Sequence, residues 1–367
     1  MSKTIHPLHP HSGLRIFLFS ILLTIGTLLW AFTSLGPAGL LAALILIIIE
    51  VTFSLDNAII NAKTLVKMSR LWQTLFLTVG ILIAIFGVRL ILPIVLVMVS
   101  ANMDFQTVLN AALYDSEKYS HALEEAYPKL AAFGGAFLLM LALHFFLDKE
   151  RQVHWFKSFE KWAQRYATFW APALVAIIVI TILTFLPFNE HPVETAISGG
   201  LGIAAYTVLH FLVRIFESIK NKMTGENKKG AKSMLPQTGV VALTSFIYLE
   251  VLDASFSFDS VIGAFAVTTN IVLIALGLGV GAIWVRSLTV YMVRRGTLSQ
   301  YRYLEHGAHY TIFVLAGVLL FGIFAHVPEA VAGVVSIGMI TSAVIASLEA
   351  NRKDRKNAKK RLPLSKR

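Results

Sequence analysis

The sequence contains no cysteine, and only 14% of its residues are charged. Without cysteine the chain forms no disulfide and no thiolate metal site. A soluble protein would have about 25% charged residues, so the low charge argues against a soluble globular class. Of the 367 residues, 56% are hydrophobic, and several apolar runs reach 18 residues or more. Runs of that length cross a hydrocarbon core of about 30 Å, so the chain is predicted to be a multi-pass membrane protein.

Ten apolar segments are predicted as helices, because backbone in lipid has to satisfy its own hydrogen bonds. The predicted spans are residues 14–34, 37–61, 71–99, 130–147, 168–187, 193–216, 238–267, 270–293, 308–326 and 328–349. The first apolar run, 14–30, is too long for a signal peptide, and no small-residue cleavage site follows it, so no cleavable signal is expected. The predicted fold class is all-α.

Basic residues are concentrated in alternate connecting loops of the chain. These loops are 62–70, 148–167, 217–237 and 294–307. The positive-inside rule then places both termini in the cytoplasm, and the expected location is a bacterial inner membrane. Segment 100–129 has five acidic residues against two basic ones. It is expected to form an external, solvated cap with a short amphipathic helix near Val108–Tyr127.

The net charge of +11 is concentrated at the C-terminus. Residues 351–367 include nine Lys or Arg and one acidic residue. A basic tail next to a membrane is expected to lie beside anionic lipid headgroups, and no nucleic-acid partner is expected.

Two apolar segments contain a similar polar pattern. Residues 50–57 read EVTFSLDN, and residues 250–260 read EVLDASFSFDS. In the helix after each copy, a Gly is followed nine residues later by an Arg, in the pairs Gly80–Arg89 and Gly277–Arg286. The copies are five helices apart, so the second enters the membrane from the opposite side. This predicts two inverted five-helix repeats, 1–187 and 188–350.

Acidic side chains inside apolar helices need a partner. Each ionised acid costs about 2.5–3.5 kcal/mol near the bilayer centre, so the five acids of the two copies together cost about 12–18 kcal/mol. Two arginines neutralise at most two of them, which leaves a role for protons or cations. Oxygen ligands without cysteine suit Mn²⁺, Ca²⁺ or Mg²⁺. The predicted metal ligands are Glu50, Asp56, Asn57, Glu250, Asp253, Asp259 and Ser260.

Four further polar residues are expected to support this site. Arg89 and Arg286 are expected to form ion pairs with the acids, or else to contact the substrate directly. Ser54 and Ser257 either ligate the ion or bond to backbone carbonyls. Two lone histidines in apolar helices, His144 and His210, are expected to form interhelical hydrogen bonds rather than to bind metal.

The spacing of the acids predicts irregular helices. On ideal helices Glu50 and Asp56 lie about 120° apart, and Glu250 and Asp259 about 180° apart, so unbroken helices do not aim them at one ion. Ser, Asn and Asp compete for backbone hydrogen bonds and favour breaks. We therefore predict discontinuous helices at 53–57 and 255–260. The alternative is that the acids serve different partners.

The paired motifs resemble those of the TerC family of bacterial integral membrane proteins, which is named for tellurium resistance. The resemblance rests on EVTFSLDNA in the first half, and on DASFSFDSV and a later WVR in the second. It is closest to a longer branch of that family, within the wider group of LysE-type exporters. The resemblance implies metal export, often of Mn²⁺, with the predicted ligands at the family's acidic positions. The first motif is less Gly-rich than usual, and ten helices exceed the common TerC core.

The leading hypothesis is a membrane exporter of a hard divalent cation, most of all Mn²⁺, driven by proton exchange. The alternative is a non-transporting membrane scaffold, assembly or stress-resistance factor with structural ion pairs. The spans contain no Ser/His or His/Glu metal-protease pattern, so an enzyme is not expected. No prosthetic group is expected. The expected partners are the lipid bilayer, the divalent cation and protons, and a homo-oligomer is left open.

Overall fold

The computed structural model of the chain is built from helices. It describes residues 10–91, 94–95, 97–98, 103–223, 237–268, 270–325, 327 and 329–361. Within these residues there is no β-strand, and the one β-type pairing is a parallel bridge between Met68 and Gln237. The all-α class is therefore confirmed.

Thirteen α-helices and one π-helix follow one another among the described residues. In chain order they are α1 Pro10–Phe53, α2 Leu55–Leu65, α3 Arg70–Leu82, the π-helix Ile83–Ile91, α4 Phe105–Tyr114, α5 Ser116–Phe146, α6 Lys157–Arg165, α7 Ala171–Thr184, α8 Pro192–Met223, α9 Gly239–Val267, α10 Ile271–Arg295, α11 Thr297–Gln300, α12 Leu304–Gly322 and α13 Glu329–Arg361.

Seven helical stretches of the described residues are long and apolar enough to cross a membrane. They are Ile16–Thr52, Arg70–Gly87, Glu117–Phe146, Pro192–Leu212, Ile271–Arg295, Leu304–Gly322 and Val331–Asp354. These helices are those of a multi-pass membrane protein, as the composition predicts. The count of ten spans and the inverted repeat stay predictions.

The first helix, α1, is too long for a single straight crossing. Its 44 residues would span about 66 Å at 1.5 Å per residue. Gly36 interrupts it with a left-handed φ of 72°, a conformation that glycine adopts at little cost, and Pro37 follows. The interruption falls between the predicted spans 14–34 and 37–61.

The predicted break in the first motif is present. Ser54 separates α1 from α2, with φ −100° and ψ 18°. The predicted break at 255–260 is wrong, because α9 runs without interruption from Gly239 to Val267. In an apolar setting every backbone group has to be bonded within the helix, and this requirement outweighs the local competition from Ser and Asp side chains.

The acidic segment 100–129 differs from its prediction. Instead of one short helix near Val108–Tyr127, α4 ends at Tyr114, and α5 begins at Ser116 and continues to Phe146. Two aspartates set these starts by capping: Asp104 accepts from the Thr107 N–H (3.1 Å) and Asp115 from the Lys118 N–H (3.2 Å). Residues 100–102 lie outside the described part of the chain.

Apolar clusters lie at both ends of the central helices α9 and α10. One cluster includes Phe246 and Leu249 near the start of α9, together with Val290 near the end of α10. Another includes Ala264 near the end of α9 and Leu278 near the start of α10. The polar residues of the two helices lie between these clusters, in the middle of the helix pair.

Candidate functional site

The polar side chains of α2 are buried directly after the break at Ser54. Asp56 is 0% exposed, Asn57 2% and Asn61 1%. Asn57 and Asn61 are four residues apart and so lie on one face of the helix. Sequence reasoning singled out Asp56 and Asn57 but missed Asn61. The signal that could have found it is this spacing of two amides within an apolar segment.

Four side-chain oxygens on α2 accept no hydrogen bond from any described residue. They are both carboxylate oxygens of Asp56 and the amide oxygens of Asn57 and Asn61. Asp56 lies in the first turn of α2, next to its own N–H and that of Asn57, without a hydrogen bond of normal geometry to either. The positive end of the helix offsets part of the charge. A buried acceptor left unsatisfied costs about 1–3 kcal/mol, so these oxygens call for a cation, a proton or water.

Glu50 lies one turn before the break, at the end of α1. It is 1% exposed, and the Ser54 hydroxyl donates to its Oε1 at 3.1 Å. Gly281 of α10 allows α1 to approach closely, because a Cβ at that position would lie 2.7 Å from Glu50 Cγ. Ser54, predicted to support the site, therefore hydrogen-bonds to Glu50.

Arg286 is the centre of a second buried cluster. Its Nη1 and Nη2 donate to Glu250 Oε1 (3.0 Å) and Oε2 (2.9 Å), and Nη2 also donates to Asp253 Oδ2 at 3.2 Å. The side chain of Arg286 is 2% exposed. The ion pair predicted for Arg286 is therefore present, in the bidentate geometry that favours strong Arg–carboxylate pairing.

The third helix completes the surroundings of Arg286. Nη1 donates to the Phe76 carbonyl at 2.9 Å, and the guanidinium lies 4.3 Å from the centre of the Phe76 ring. Gly80, one turn further along α3, admits the ion pair, since a Cβ there would lie 2.6 Å from Glu250 Oε1. Any side chain at Gly80 would push this ion pair apart.

The helix α10 links the two clusters. Gly281 receives Glu50, and Arg286, five residues later, binds Glu250 and Asp253. Five residues correspond to about 7.5 Å along the helix axis. The acidic motifs of the two halves therefore contact the same helix, α10.

The remaining predicted residues have mixed outcomes. Glu250 and Asp253 face Arg286, Ser260 is buried on α9, and their role as metal ligands stays a prediction. The side chains of Asp259, Ser257 and Arg89 lie outside the described part of the structure. Among the described residues, no three His, Asp or Glu side chains form a group that could hold a metal ion.

A cavity of about 800 Å³ opens where α2 and α5 lead into the basic loops 62–70 and 148–167. Five Lys or Arg side chains line it: Lys63, Lys67, Lys149, Arg151 and Arg214. Two acidic side chains, Asp148 and Glu150, also line it.

One wall of the cavity is aromatic. The rings of His144 and His210 lie 4.4 Å apart, and Tyr206 stacks on His210 at 5.7 Å. His144 Nδ1 contacts the Met140 carbonyl of its own helix, while His210 Nε2 has no hydrogen-bond partner among the described residues. The predicted interhelical hydrogen bond is therefore absent from the described residues, and ring packing joins the two helices instead.

One known protein family matches most of the chain. Residues 55–354 match the family described as "Protein of unknown function (DUF475)". No curated protein and no solved structure matches the chain. The match names neither TerC nor LysE, so the assignment to those families is wrong. Short acidic motifs within apolar helices are too small a part of the sequence to assign a family.

Proposed function

The chain belongs to the DUF475 family, whose function is unknown, and from that premise we propose that it is a transporter of a hard divalent cation. Mn²⁺ is the first ion to test, with export in exchange for protons as the coupling. The location proposed is a bacterial inner membrane with both termini in the cytoplasm, on the basis of the basic loops.

The observation that supports this proposal most is the group of unsatisfied oxygens on α2. Asp56, Asn57 and Asn61 are each at least 98% buried, and four of their oxygens accept no hydrogen bond within the described residues. Carboxylate and amide oxygens are the ligands that hard divalent cations prefer. A bound cation would satisfy the Asp56 carboxylate, and a proton would replace it on Asp56 when the ion leaves.

The inverted repeat is part of the proposal and draws support from crosswise packing. Gly80 of the first half approaches Glu250 of the second, and Gly281 of the second half, four residues after the Gly80 counterpart Gly277, approaches Glu50 of the first. Each Gly-containing helix thus receives an acid from the other half. Transporters built from inverted repeats place their sites where the repeats meet, near the middle of the bilayer.

The two motifs share one spacing between acidic residues. Glu50 lies six residues before Asp56, and Asp253 lies six residues before Asp259. Without a gap Asp253 aligns with Glu50, whereas pairing Glu50 with Glu250 leaves Asp253 as the additional acid of the second half.

The second candidate is a membrane scaffold without transport. It is favoured by one observation, the fully buried ion pair of Arg286 with Glu250 and Asp253, which ties α9 to α10. Such a pair holds helices in register without any ion. A scaffold does not explain why both carboxylate oxygens of Asp56 are buried without a hydrogen bond among the described residues, and for this reason we place it second.

The deciding experiment is ion flux in proteoliposomes made from the full chain. Mn²⁺, Ca²⁺ and Mg²⁺ are offered separately, with and without a pH gradient, to wild type and Asp56→Asn. This substitution keeps the shape of the side chain and removes its charge. We expect saturable Mn²⁺ flux in wild type and at least a tenfold loss in Asp56→Asn.

The matched control is Glu124→Gln, which removes one carboxylate from an exposed position on α5. Its flux should stay within twofold of wild type. Thermal unfolding of the same sample shows whether the protein is folded. If folded protein gives no flux of any of the three ions, transport of divalent cations is refuted and the scaffold is favoured. Equal flux in Asp56→Asn and wild type would remove Asp56 from the site.

A further inference from the structure

The basic cavity beside α2 is not used by the proposed transport site. It is lined by five Lys or Arg side chains and two acidic ones, in a volume of about 800 Å³. Cavities of roughly 300–1,000 Å³ are the size of small-molecule sites. We infer that this cavity binds a phosphate-bearing anion.

The charge balance of the cavity is the first argument. Lys63 is neutralised by Glu305 of α12, and Arg151 lies 4.0 Å from Asp148. Counting Glu305 together with the lining residues, basic groups still outnumber acidic ones. Positive charges held around one concave surface raise its electrostatic potential. This potential attracts an anion, and a bound anion reduces the repulsion between the basic groups.

Two of the cations are available to a ligand. Lys149 and Arg214 line the cavity from α5's C-terminal loop and from α8, and both are exposed. In the described part of the chain neither forms an ion pair. An Arg and a Lys approaching from different elements match the several acceptor oxygens of a phosphate group, the Arg through its fork and the Lys as a point charge.

The aromatic wall supplies a further donor. His210 Nε2 is buried, lines the cavity with its ring and has no hydrogen-bond partner among the described residues. In the tautomer with its proton on Nε2, it donates to an anion oxygen. A phosphate oxygen would satisfy this nitrogen together with Arg214, which is four residues further along α8 and so on the same face.

The source of the phosphate is either a small soluble phosphate compound or the headgroup of an anionic phospholipid. The cavity is bounded by the ends of apolar helices and by the loop 148–151, so both sources reach it. The chemistry they share is the phosphate group, and the test separates them.

The first part of the test measures binding of inorganic phosphate to the purified full chain in a neutral detergent, by equilibrium dialysis with radiolabelled phosphate. The variants are Arg214→Gln, Lys149→Gln and the control Lys161→Gln. Lys161 is exposed on α6, within the basic segment 148–167, but does not line the cavity. We expect at least a tenfold weaker affinity for the first two and a change within twofold for the control.

The second part replaces free phosphate with lipid. Nanodiscs of phosphatidylcholine with or without phosphatidic acid are compared by native mass spectrometry for lipid retained on the protein. Retention of phosphatidic acid that phosphate displaces assigns the cavity to a lipid headgroup, whereas phosphate binding without lipid retention assigns it to a soluble compound. Both results support the inference.

Two results would overturn it. One is that no phosphate binding is measured in dialysis and that phosphatidic acid is retained no more than phosphatidylcholine. The other is that Arg214→Gln and Lys149→Gln bind as Lys161→Gln does while all variants unfold at the wild-type temperature. The measurement does not depend on ion flux, so its failure leaves the transport proposal standing, and the reverse also holds.

Discussion

At the scale of single residues, the two buried polar clusters differ in how far they are satisfied. Arg286 makes bonds to Glu250, Asp253 and the Phe76 carbonyl, so each of its terminal nitrogens has a partner. Asp56 has no bonded partner for either oxygen among the described residues. The first arrangement is that of a structural ion pair, whereas the oxygens of Asp56 are the acceptors on which the transport proposal rests.

Removing Arg286 should strongly destabilise the fold. Arg286→Met keeps much of the volume but leaves two carboxylates buried next to each other without their cation, and breaking a buried pair in this way costs about 3–5 kcal/mol. The measurement is thermal unfolding of the purified protein in detergent. Adding Glu250→Gln to Arg286→Met should recover part of the loss, because one uncompensated charge disappears.

The control for this prediction is the exposed ion pair between Arg302 and Asp354. The Arg302 side chain is 38% exposed, so Arg302→Met should cost about 1 kcal/mol or less. A loss in Arg286→Met no larger than that in Arg302→Met would contradict the structural role given to the buried pair.

The residue scale also shows what the sequence could predict. Glu50, Asp56 and Arg286 stood out because a charge in an apolar segment is costly and therefore informative. Asn61 was missed because an uncharged amide is a weak signal. The pairing of Arg286 with both Glu250 and Asp253 could not be read from spacing, since it depends on the approach that Gly80 permits between α3 and α9.

At the scale of helices, the interruption of α1 depends on one glycine. Gly36 has φ 72°, and no atom lies within 4 Å of a Cβ built there. Any cost of Gly36→Ala therefore comes from backbone conformation alone, about 1–2 kcal/mol. We expect a lower unfolding temperature by thermal unfolding, or a straightened α1 with altered packing against α10.

Gly26→Ala is the matched control for that substitution. Gly26 lies in the same helix with equally free space around it, but its φ is not in the left-handed region. Alanine there should leave stability unchanged or raise it by about 0.5–1 kcal/mol through helix propensity. Equal unfolding temperatures for the two variants would show that Gly36 is not a required break.

The two motif helices show where pattern reasoning about elements succeeds and fails. At Ser54 the chain does break, and Asp56 then lies in the first turn of α2. At 255–260 a similar set of Ser and Asp residues does not break α9. Local hydrogen-bond competition is similar in the two sequences, so this competition alone does not decide whether a motif helix breaks.

At the scale of the whole molecule, the absence of cysteine makes the topology directly measurable. Single cysteines introduced at Glu124 and Lys161 have no competing thiol in the chain. With both termini in the cytoplasm, a membrane-impermeant maleimide should label Glu124→Cys in intact cells and Lys161→Cys only after the membrane is opened. The cysteine-free parent is the control for background labelling, and the reverse pattern would invert the proposed orientation.

A small polar tie at one end of the molecule limits how the helices can move. Gln237 donates its N–H to the Lys67 carbonyl (2.7 Å) and accepts from the Ser69 N–H (3.0 Å), while its side-chain oxygen accepts from the Ser245 hydroxyl (3.0 Å). These bonds fasten the α2–α3 turn to the start of α9. If the protein works by alternating access, these bonds would make the α2–α3 turn and the start of α9 move together, whichever side of the membrane is open.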